Sequence, residues 1–436
     1  MSSGRILVSG LMLILVVALV GPAKSISAVV SSYDYVVGEL VEPLHNGTSI
    51  TDQDVQCKDM AIAEDGSAYI LGTTDPYVGG GYAPDVVLTK WNSNAELVWT
   101  KVWDNGFGAE GFALATSGDF VYVAGRYFDE SSARMLLMKW GADGSLVWTH
   151  YGFDDEKGYL LSDVAVAPDG SVFVVGAGDF HDPGLDTAYL LRYSSSGSML
   201  WYRELGDVSL RMGLVTVTGT SEVYTYFQRE VVKWTPSGDR VHNFTTTCIF
   251  VDGSPTGALY TATTGSNADP FILARWNSTS AQDWSRTMHV DWHNSMYPLH
   301  MVGALDAVPD DATYILFSLI EVWPDLVLAR YDPSGLQAWN RSISYPFPQL
   351  GIKQMEVSST GVVYVAGTNY NQEEEDSVMG LGLSIYKVED LTPIPITIPP
   401  PGDRQIPVLA IGIAGIGVVA VVGAYIVIGK RRHSTS

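Results

Sequence analysis

The chain has 436 residues, of which only 17% are charged, with 44 glycines, 23 tyrosines, 12 tryptophans and a formal net charge of −23. A composition poor in charge and rich in glycine and aromatics excludes a bundle of long helices and a disordered chain, and suits twisted sheets joined by glycine turns. The acidic balance also excludes a nucleic-acid-binding surface, because such a surface repels phosphate.

In chain order, Arg5 precedes the apolar run Ile6 to Val20, and the small residues of Gly21-Pro22-Ala23-Lys24-Ser25 follow. A basic flank, an apolar run short for a span and small residues after it predict a secretory signal peptide over residues 1–25. Next, Tyr33-Asp34-Tyr35-Val36-Val37-Gly38-Glu39-Leu40 alternates as a strand does. It stands ahead of everything that repeats.

The repeating unit is clearest from Asp163 to Leu205, DVAVAPDGSVFVVGAGDFHDPGLDTAYLLRYSSSGSMLWYREL. Val164 and Val166, then Val172 and Val174, alternate on either side of the turn Pro168-Asp169-Gly170. Tyr189, Leu191 and Tyr193 alternate again, the Ser194 to Ser198 cluster turns the chain, and a last strand carries Trp201. Four strands in about 45 residues, if repeated, make a propeller blade. The third strand, an apolar run closing in a basic residue and an aromatic, recurs as VVLTKW to Trp91, LLMKW to Trp140, YLLRY to Tyr193, VVKW to Trp234, ILARW to Trp276, LVLARY to Tyr331 and LSIYK around Tyr386. A fourth strand with a Trp follows most of them, at Trp99, Trp148, Trp201, Trp284 and Trp339, whereas the fourth unit has Val241 in RVHNFTT. A Trp at a fixed place in each outer strand reads as packing between blades rather than as a cofactor site.

The seventh unit ends after its third strand, where Val388-Glu389-Asp390 runs into prolines. The strand Tyr33–Leu40 is the evident donor of the missing fourth strand, and pairing the two ends removes the open edges of the ring. The prediction is an all-β fold, a seven-bladed β-propeller of four-stranded blades over residues 33–390, closed by an N-terminal strand.

Residues 391–405 are rich in proline and predict a stiff stalk. Val408 to Gly429 is 22 residues without a charge, about 33 Å as a helix, and Lys430, Arg431, Arg432 and His433 follow. The expectation is a C-terminal transmembrane helix over residues 406–429 with a cytoplasmic basic tail, 430–436: a single-pass type I protein of the cell membrane with the propeller outside. Against 48 acids stand 20 bases once Arg5, Lys24, Lys430, Arg431 and Arg432 are set aside, a net of about −28 outside. Solubility accounts for most of that charge; cations or basic partners are its other readers. Cys57 and Cys248 are too few for a disulfide framework and read as buried small apolar residues.

The segments DVAVAPDGSVFVVG, LLRY and LWYREL closely resemble the SBBP-type β-propeller repeat of bacterial and archaeal surface proteins. The ending, with stalk, span and basic tail, is similar to that of membrane-anchored archaeal surface proteins. The resemblance implies extracellular display and interaction, and it transfers no catalytic residue.

Strand order divides the loops between two faces of the ring. First-to-second and third-to-fourth connections, such as Glu64-Asp65-Gly66 and Pro236-Ser237-Gly238, are tight turns. Second-to-third and blade-to-blade connections are long, and long loops on a rigid scaffold are where binding usually resides. Because the chain leaves the propeller on the tight-turn face, the long-loop face is expected to point away from the membrane. The candidate ligand-binding residues on it are Tyr77, Tyr82, Asp85, Phe107, Asp154, His181, Trp292, Tyr297, Asn369 and Tyr370. Candidate metal ligands are His289, Asp291, His293 and His300, and the run Glu373, Glu374, Glu375 and Asp376, with Ca²⁺ the cation such carboxylates would take; packing or plain solvation is the commoner fate of such groups. Acceptor triplets for N-glycosylation begin at Asn46, Asn243, Asn277 and Asn340.

No phosphate-binding glycine loop, GxSxG elbow or HExxH helix is present, so no catalytic residue and no cofactor is assigned. The leading expectation is a non-enzymatic surface module that binds a glycan, an envelope component or a protein. The alternatives are a carbohydrate-active or quinone-dependent propeller enzyme, the former needing two carboxylates converging near the central channel, and a structural surface-layer component.

Overall fold

Short runs of Val, Ile, Leu, Tyr and Trp, each closed by a polar turn, leave the backbone no option but to pair with its own next segment. The computed structural model describes residues 40–41, 45–49, 54–74, 83–129, 133–152, 159–178, 186–208, 213–263, 271–288, 304–318, 325–344, 352–370 and 379–387. They form seven antiparallel sheets, one per predicted unit. Each is built on a four-stranded antiparallel meander whose first strand lies innermost in the ring, and the sheet of blade six carries a short fifth strand at its outer edge. The innermost strands are Val55–Ile62, Ala109–Ser117, Tyr159–Val166, Leu214–Val217, Phe250–Gly253, Ala304–Ala307 and Ile352–Val357 in blades one to seven. The expected signal segment, stalk, span and tail lie outside the described residues.

The ring closes through the N-terminus, but with a different segment from the one expected. His45–Ser49 supplies the outer strand of blade seven, pairing antiparallel with Met379–Lys387 from His45 opposite Ile385 to Ser49 opposite Leu381. Of the expected strand Tyr33–Leu40, only Leu40 is described. With Val41 it runs parallel to Ser342 and Ile343 on the outer strand of blade six, Gln337–Ser344. A parallel segment cannot complete an antiparallel meander. The sequence HNGTS, polar and containing a glycine, lacks the apolar alternation that marks a strand, because an outermost strand pairs on one side only.

The recurrent basic-plus-aromatic ending of the third strand has a definite packing role. The terminal aromatics Trp91, Trp140, Tyr193, Trp234, Tyr331 and Tyr386 are buried. The basic residue before them lies over an aromatic ring of the second strand: Lys90 over Tyr69 at 5.4 Å, Arg192 over Phe173 at 5.4 Å, Arg330 over Tyr314 at 5.8 Å. The outer-strand Trp meets the same ring in a tilted or edge geometry, with centroids 5.9 Å apart for Tyr69 and Trp99, 6.0 Å for Tyr122 and Trp148, and 5.6 Å for Tyr314 and Trp339. In blades one and three both side chains also donate to the third-to-fourth turn of the next blade, Lys90 and Trp99 sharing the Ala142 carbonyl at 3.4 and 3.2 Å. The Trp201 indole and the Arg192 guanidinium share the Pro236 carbonyl at 3.1 and 2.7 Å, and Trp284 reaches the Pro333 carbonyl at 2.9 Å. The outer Trp residues thus join blade to blade, as their spacing predicts.

Cys57 and Cys248 are both buried. Cys57 lies on the innermost strand of blade one, and Cys248 just before that of blade five. Burial pushes the Cys248 thiol up to about 12, so it stays protonated.

The tight-turn face is built from one recurrent five-residue turn whose fourth residue has positive φ. Glycine serves at Gly66, Gly170, Gly238 and Gly335, but Ala95, Ser221, Ser280 and Asp311 occupy the same place at φ of 57°, 66°, 61° and 63°. A side chain costs energy in that left-handed conformation. Replacing Ser221, whose side chain caps nothing else in the turn, by glycine should raise unfolding stability by roughly 0.5–1 kcal/mol. Chemical denaturation of Ser221→Gly beside the parent checks this, and an unchanged or lowered midpoint would contradict it.

Candidate functional site

The two places where function could reside are the long-loop ends of the blades and the central channel. At the long-loop ends of blades one and two the described residues build a continuous patch. The outer strands Leu97–Trp103 and Leu146–Tyr151 both end there in an aromatic residue, and Tyr127 lies near the corresponding end of the second strand Phe120–Phe128. The Trp103 and Tyr151 rings are 6.3 Å apart, and Tyr127 meets Tyr151 edge-on at 4.8 Å. Half of Tyr151 faces solvent, as does 48% of Phe107 in the blade-to-blade connection.

That connection, residues 104–108, is held at many points. The Asp104 carboxylate accepts the Gly106 N–H at 2.6 Å, and the Asn105 side-chain oxygen accepts those of Phe107 and Gly108 at 3.0 and 2.8 Å. The Asn105 amide donates to the Phe128 carbonyl at 3.0 Å, and the Phe128 N–H donates to that of Gly108 at 2.8 Å. Gly108, at φ 106°, lies so close to blade one that a Cβ there would sit 2.9 Å from the Ala83 Cα. Phe107 is therefore presented by a loop that has little conformational freedom left to lose.

Charge surrounds the rings. Arg126 pairs with Glu110 and lies 5.0 Å from the Phe128 ring centre; Arg134 pairs with Asp129 at 2.6 Å. Asp85 stands beside Asp104, and burial, with the Asp104 carboxylate as the second cause, pushes its carboxyl up to about 6. Exposed aromatic faces flanked by fixed guanidinium and carboxylate groups can stack on a sugar ring or an apolar side chain while bonding its polar groups.

The structure brings two of the expected binding residues, Asp85 and Phe107, into this one patch. Asn369 and Tyr370 end the second strand of blade seven, Val362–Tyr370, on the same face of the ring. Tyr77, Tyr82, Asp154, His181, Trp292 and Tyr297 lie outside the described residues, as do His289, Asp291, His293, His300, Glu373, Glu374, Glu375 and Asp376. Among the described residues no group of three or more His, Cys, Asp or Glu side chains is arranged to hold a metal ion. Of the glycosylation candidates, Asn243 is exposed on the outer strand of blade four, and Asn46 lies on the closing strand. Asn277 uses its side-chain oxygen to cap a turn, accepting the Thr279 N–H at 3.0 Å. Asn340 is only 7% exposed, which leaves a folded-state enzyme no access to its amide.

Five acids around the channel were not singled out from the sequence: Asp59, Asp163, Asp252, Asp306 and Glu356, on the innermost strands of blades one, three, five, six and seven. Each hands an oxygen to the innermost strand of the following blade. Asp59 accepts the Leu114 N–H at 2.8 Å, Asp163 that of Val215 at 2.8 Å, Asp252 that of Ala307 at 2.7 Å, Asp306 that of Val357, and Glu356 that of Ile62 at 2.9 Å across the closing seam. The other oxygen of Asp59, Asp163 and Asp252 accepts the N–H of its own next residue, at 2.8 Å in all three. Between blades four and five the Thr216 hydroxyl does the same, accepting the Gly253 N–H at 2.9 Å. An Asp or Glu two or four residues before the first turn of the unit, as in SDVAVAPDG, was the available signal.

These carboxyls converge near the channel, as a carbohydrate-active enzyme would require, but each is engaged by backbone N–H groups that would otherwise lack a partner. A separate cavity of about 160 Å³ between blades three and four is lined by Glu204, Phe227, Glu230, Trp234 and Arg240. There Glu230 is taken up by Arg240 at 2.6 Å and Asn243 at 2.5 Å.

No protein-family model and no curated protein matches the chain. Among solved structures it is similar to the β-propeller domain of the Trilobed protease from Pyrococcus furiosus, at 10% identity and a TM-score of 0.46, over 80% of this chain and 100% of that one. The Pan2 WD40 domain of Neurospora crassa is similar at 9% identity and a TM-score of 0.47, over 80% of this chain and 99% of that one.

The carboxyl pair gives a direct check on the patch. Removing the neighbouring charge with Asp104→Asn should lower the titration midpoint of Asp85 below about 6 but leave it above the ordinary carboxylate value near 4, because burial, the larger cause, remains. Carboxyl-carbon NMR reads this, and an unmoved midpoint would show that the two side chains do not face each other.

Proposed function

We propose that this chain is a membrane-anchored extracellular β-propeller that works as a binding module, taking a glycan, an envelope component or a partner protein on its long-loop face. The observation that carries the reading is the aromatic patch of blades one and two, where Phe107 stands half exposed on a connection fixed by its own hydrogen bonds and Tyr151 stands half exposed at the end of an outer strand. Large rings held rigidly at a surface contribute binding area at low entropic cost, and paired charges beside them supply direction. A glycan fits this chemistry best, since a sugar offers an apolar face and a hydroxyl edge together.

The apolar run at residues 408–429 and the run at residues 6–20 support display outside the membrane, and the tight turns next to the chain's exit support an outward long-loop face. The rival enzyme is disfavoured by the engagement of the channel carboxyls. A quinone-dependent enzyme is disfavoured because the outer Trp residues are occupied between blades.

The test is a glycan-array and envelope-extract screen with the full-length protein in detergent, repeated with Phe107→Ala and Tyr151→Ala. Each substitution should weaken binding roughly tenfold, about 1.4 kcal/mol, without moving the melting temperature. Binding that survives both substitutions would remove the patch from the reading, and self-assembly without any ligand would favour the surface-layer alternative.

A further inference from the structure

The channel carboxyls do more than fill space. Six of the seven blade junctions carry a side-chain oxygen that accepts an N–H from the following innermost strand, five of them from Asp or Glu. Five of these junctions are also crossed by a direct blade-to-blade run of chain. At the one between blades seven and one, the chain running from Ser49 to Val55 ties blade one only to the closing strand, which joins the rest of blade seven by strand pairing alone. That junction is joined by the pairing of His45–Ser49 with Met379–Lys387, by Glu356 on the Ile62 N–H at 2.9 Å, and by the Gln354 amide donating to Asp59 at 3.1 Å.

We propose that closure of the propeller is proton-linked: the carboxyls around the channel hold the ring shut in acid, and their loss of protons in mild alkali loosens it first at the seam between blades seven and one.

The charges facing these groups explain why. Glu356 faces Asp306 from blade six and Asp59 from blade one, with Asp252 beyond. Asp306 faces Asp252, and the repulsion between the two carboxylates favours a proton on Asp306. Asp252 also meets the Thr216 hydroxyl from blade four, and Asp163 feels both Asp59 and Asp252. The strongest influences on each are desolvation, the other acids and neutral N–H donors; no Lys, Arg or His is among them. The N–H bonds favour the charged form, but loss of water and mutual repulsion outweigh them.

Unfolded Asp and Glu titrate near 4. In the ring, burial pushes Asp59 up to about 7 and Asp163 up to about 8. Burial likewise raises Asp252, and burial together with the neighbouring acids raises Asp306 and Glu356. The folded state therefore keeps protons that the unfolded chain has released. The stability they contribute is full below about pH 4 and is lost as pH rises through 7 to 8. Water in the channel reaches part of each side chain, which tempers the effect without changing its sign.

The experiment is thermal unfolding of the full-length protein in detergent, followed by Trp fluorescence between pH 5 and pH 8, with Glu356→Gln, Asp306→Asn and the control Asp169→Asn. Asp169 is an exposed turn acid held low by its hydrogen bonds to Ser171 and by Arg192, so its own dependence falls below this range. The parent and the control should lose about 5 °C or more across the range, and the two channel variants should lose markedly less. A flat or rising parent profile, or channel variants with the parent's slope, would overturn the proposal. Should a channel variant fail to fold, amide exchange of the parent, corrected for the intrinsic rate, decides. Protection at pH 8 should fall first in residues 45–49, 55–62 and 352–357, and an even loss over all seven blades would refute the seam as the point of opening.

Discussion

The inner edge of every sheet in a ring presents N–H groups that no strand can reach, and the whole architecture depends on how those groups are satisfied. A buried donor without an acceptor costs on the order of 1–3 kcal/mol, and seven innermost strands multiply the problem. Here the answer is a side-chain oxygen sent forward from the preceding blade, so that the same bond both satisfies an edge and ties two blades together. The outer rim is joined at several junctions by a device of opposite polarity: a basic residue, an indole or both send donors forward to a turn carbonyl. Acceptors at the centre and donors at the periphery hold the blades in register, and apolar packing between them fills the space.

Sequence periodicity made the blades legible because a buried strand has to be apolar, and the second and third strands, buried on both faces, have to be most so. The VVLTKW and LVLARY segments announced themselves for that reason, and their basic residue and aromatic have the packing role their recurrence implied. His45–Ser49 was illegible for the converse reason. An outermost strand needs only backbone pairing, and HNGTS satisfies it with residues that read as a loop, whereas the apolar alternation of YDYVVGEL drew attention to the wrong segment. The channel acids were hidden by a different effect. They occur in two phases, Asp59 and Asp163 lying one residue pair farther from the turn than Asp252, Asp306 and Glu356, so no single column of the repeat is acidic.

The patch on blades one and two was half visible. Loop length pointed to the face on which the patch lies, and Phe107 and Asp85 were singled out by residue type. What loop length cannot convey is which loops are rigid, because that depends on bonds such as Asn105 to Phe128 that join residues of different blades. Trp103 and Tyr151 looked like ordinary strand residues; only the end of the strand at which they lie makes them surface groups rather than core.

The closing strand also dictates an order of events. His45–Ser49 leaves the ribosome before any blade, yet its partner strand, Met379–Lys387, comes after all the rest. Tethering ends more than 300 residues apart costs about 5 kcal/mol in chain entropy if nothing between them is formed, and very little once six blades have already folded into an arc. The early segment must therefore wait, unpaired, through synthesis of the whole propeller. A sequence of polar residues with a glycine in it is well suited to waiting, since it offers no sticky edge to other nascent chains while the arc remains open.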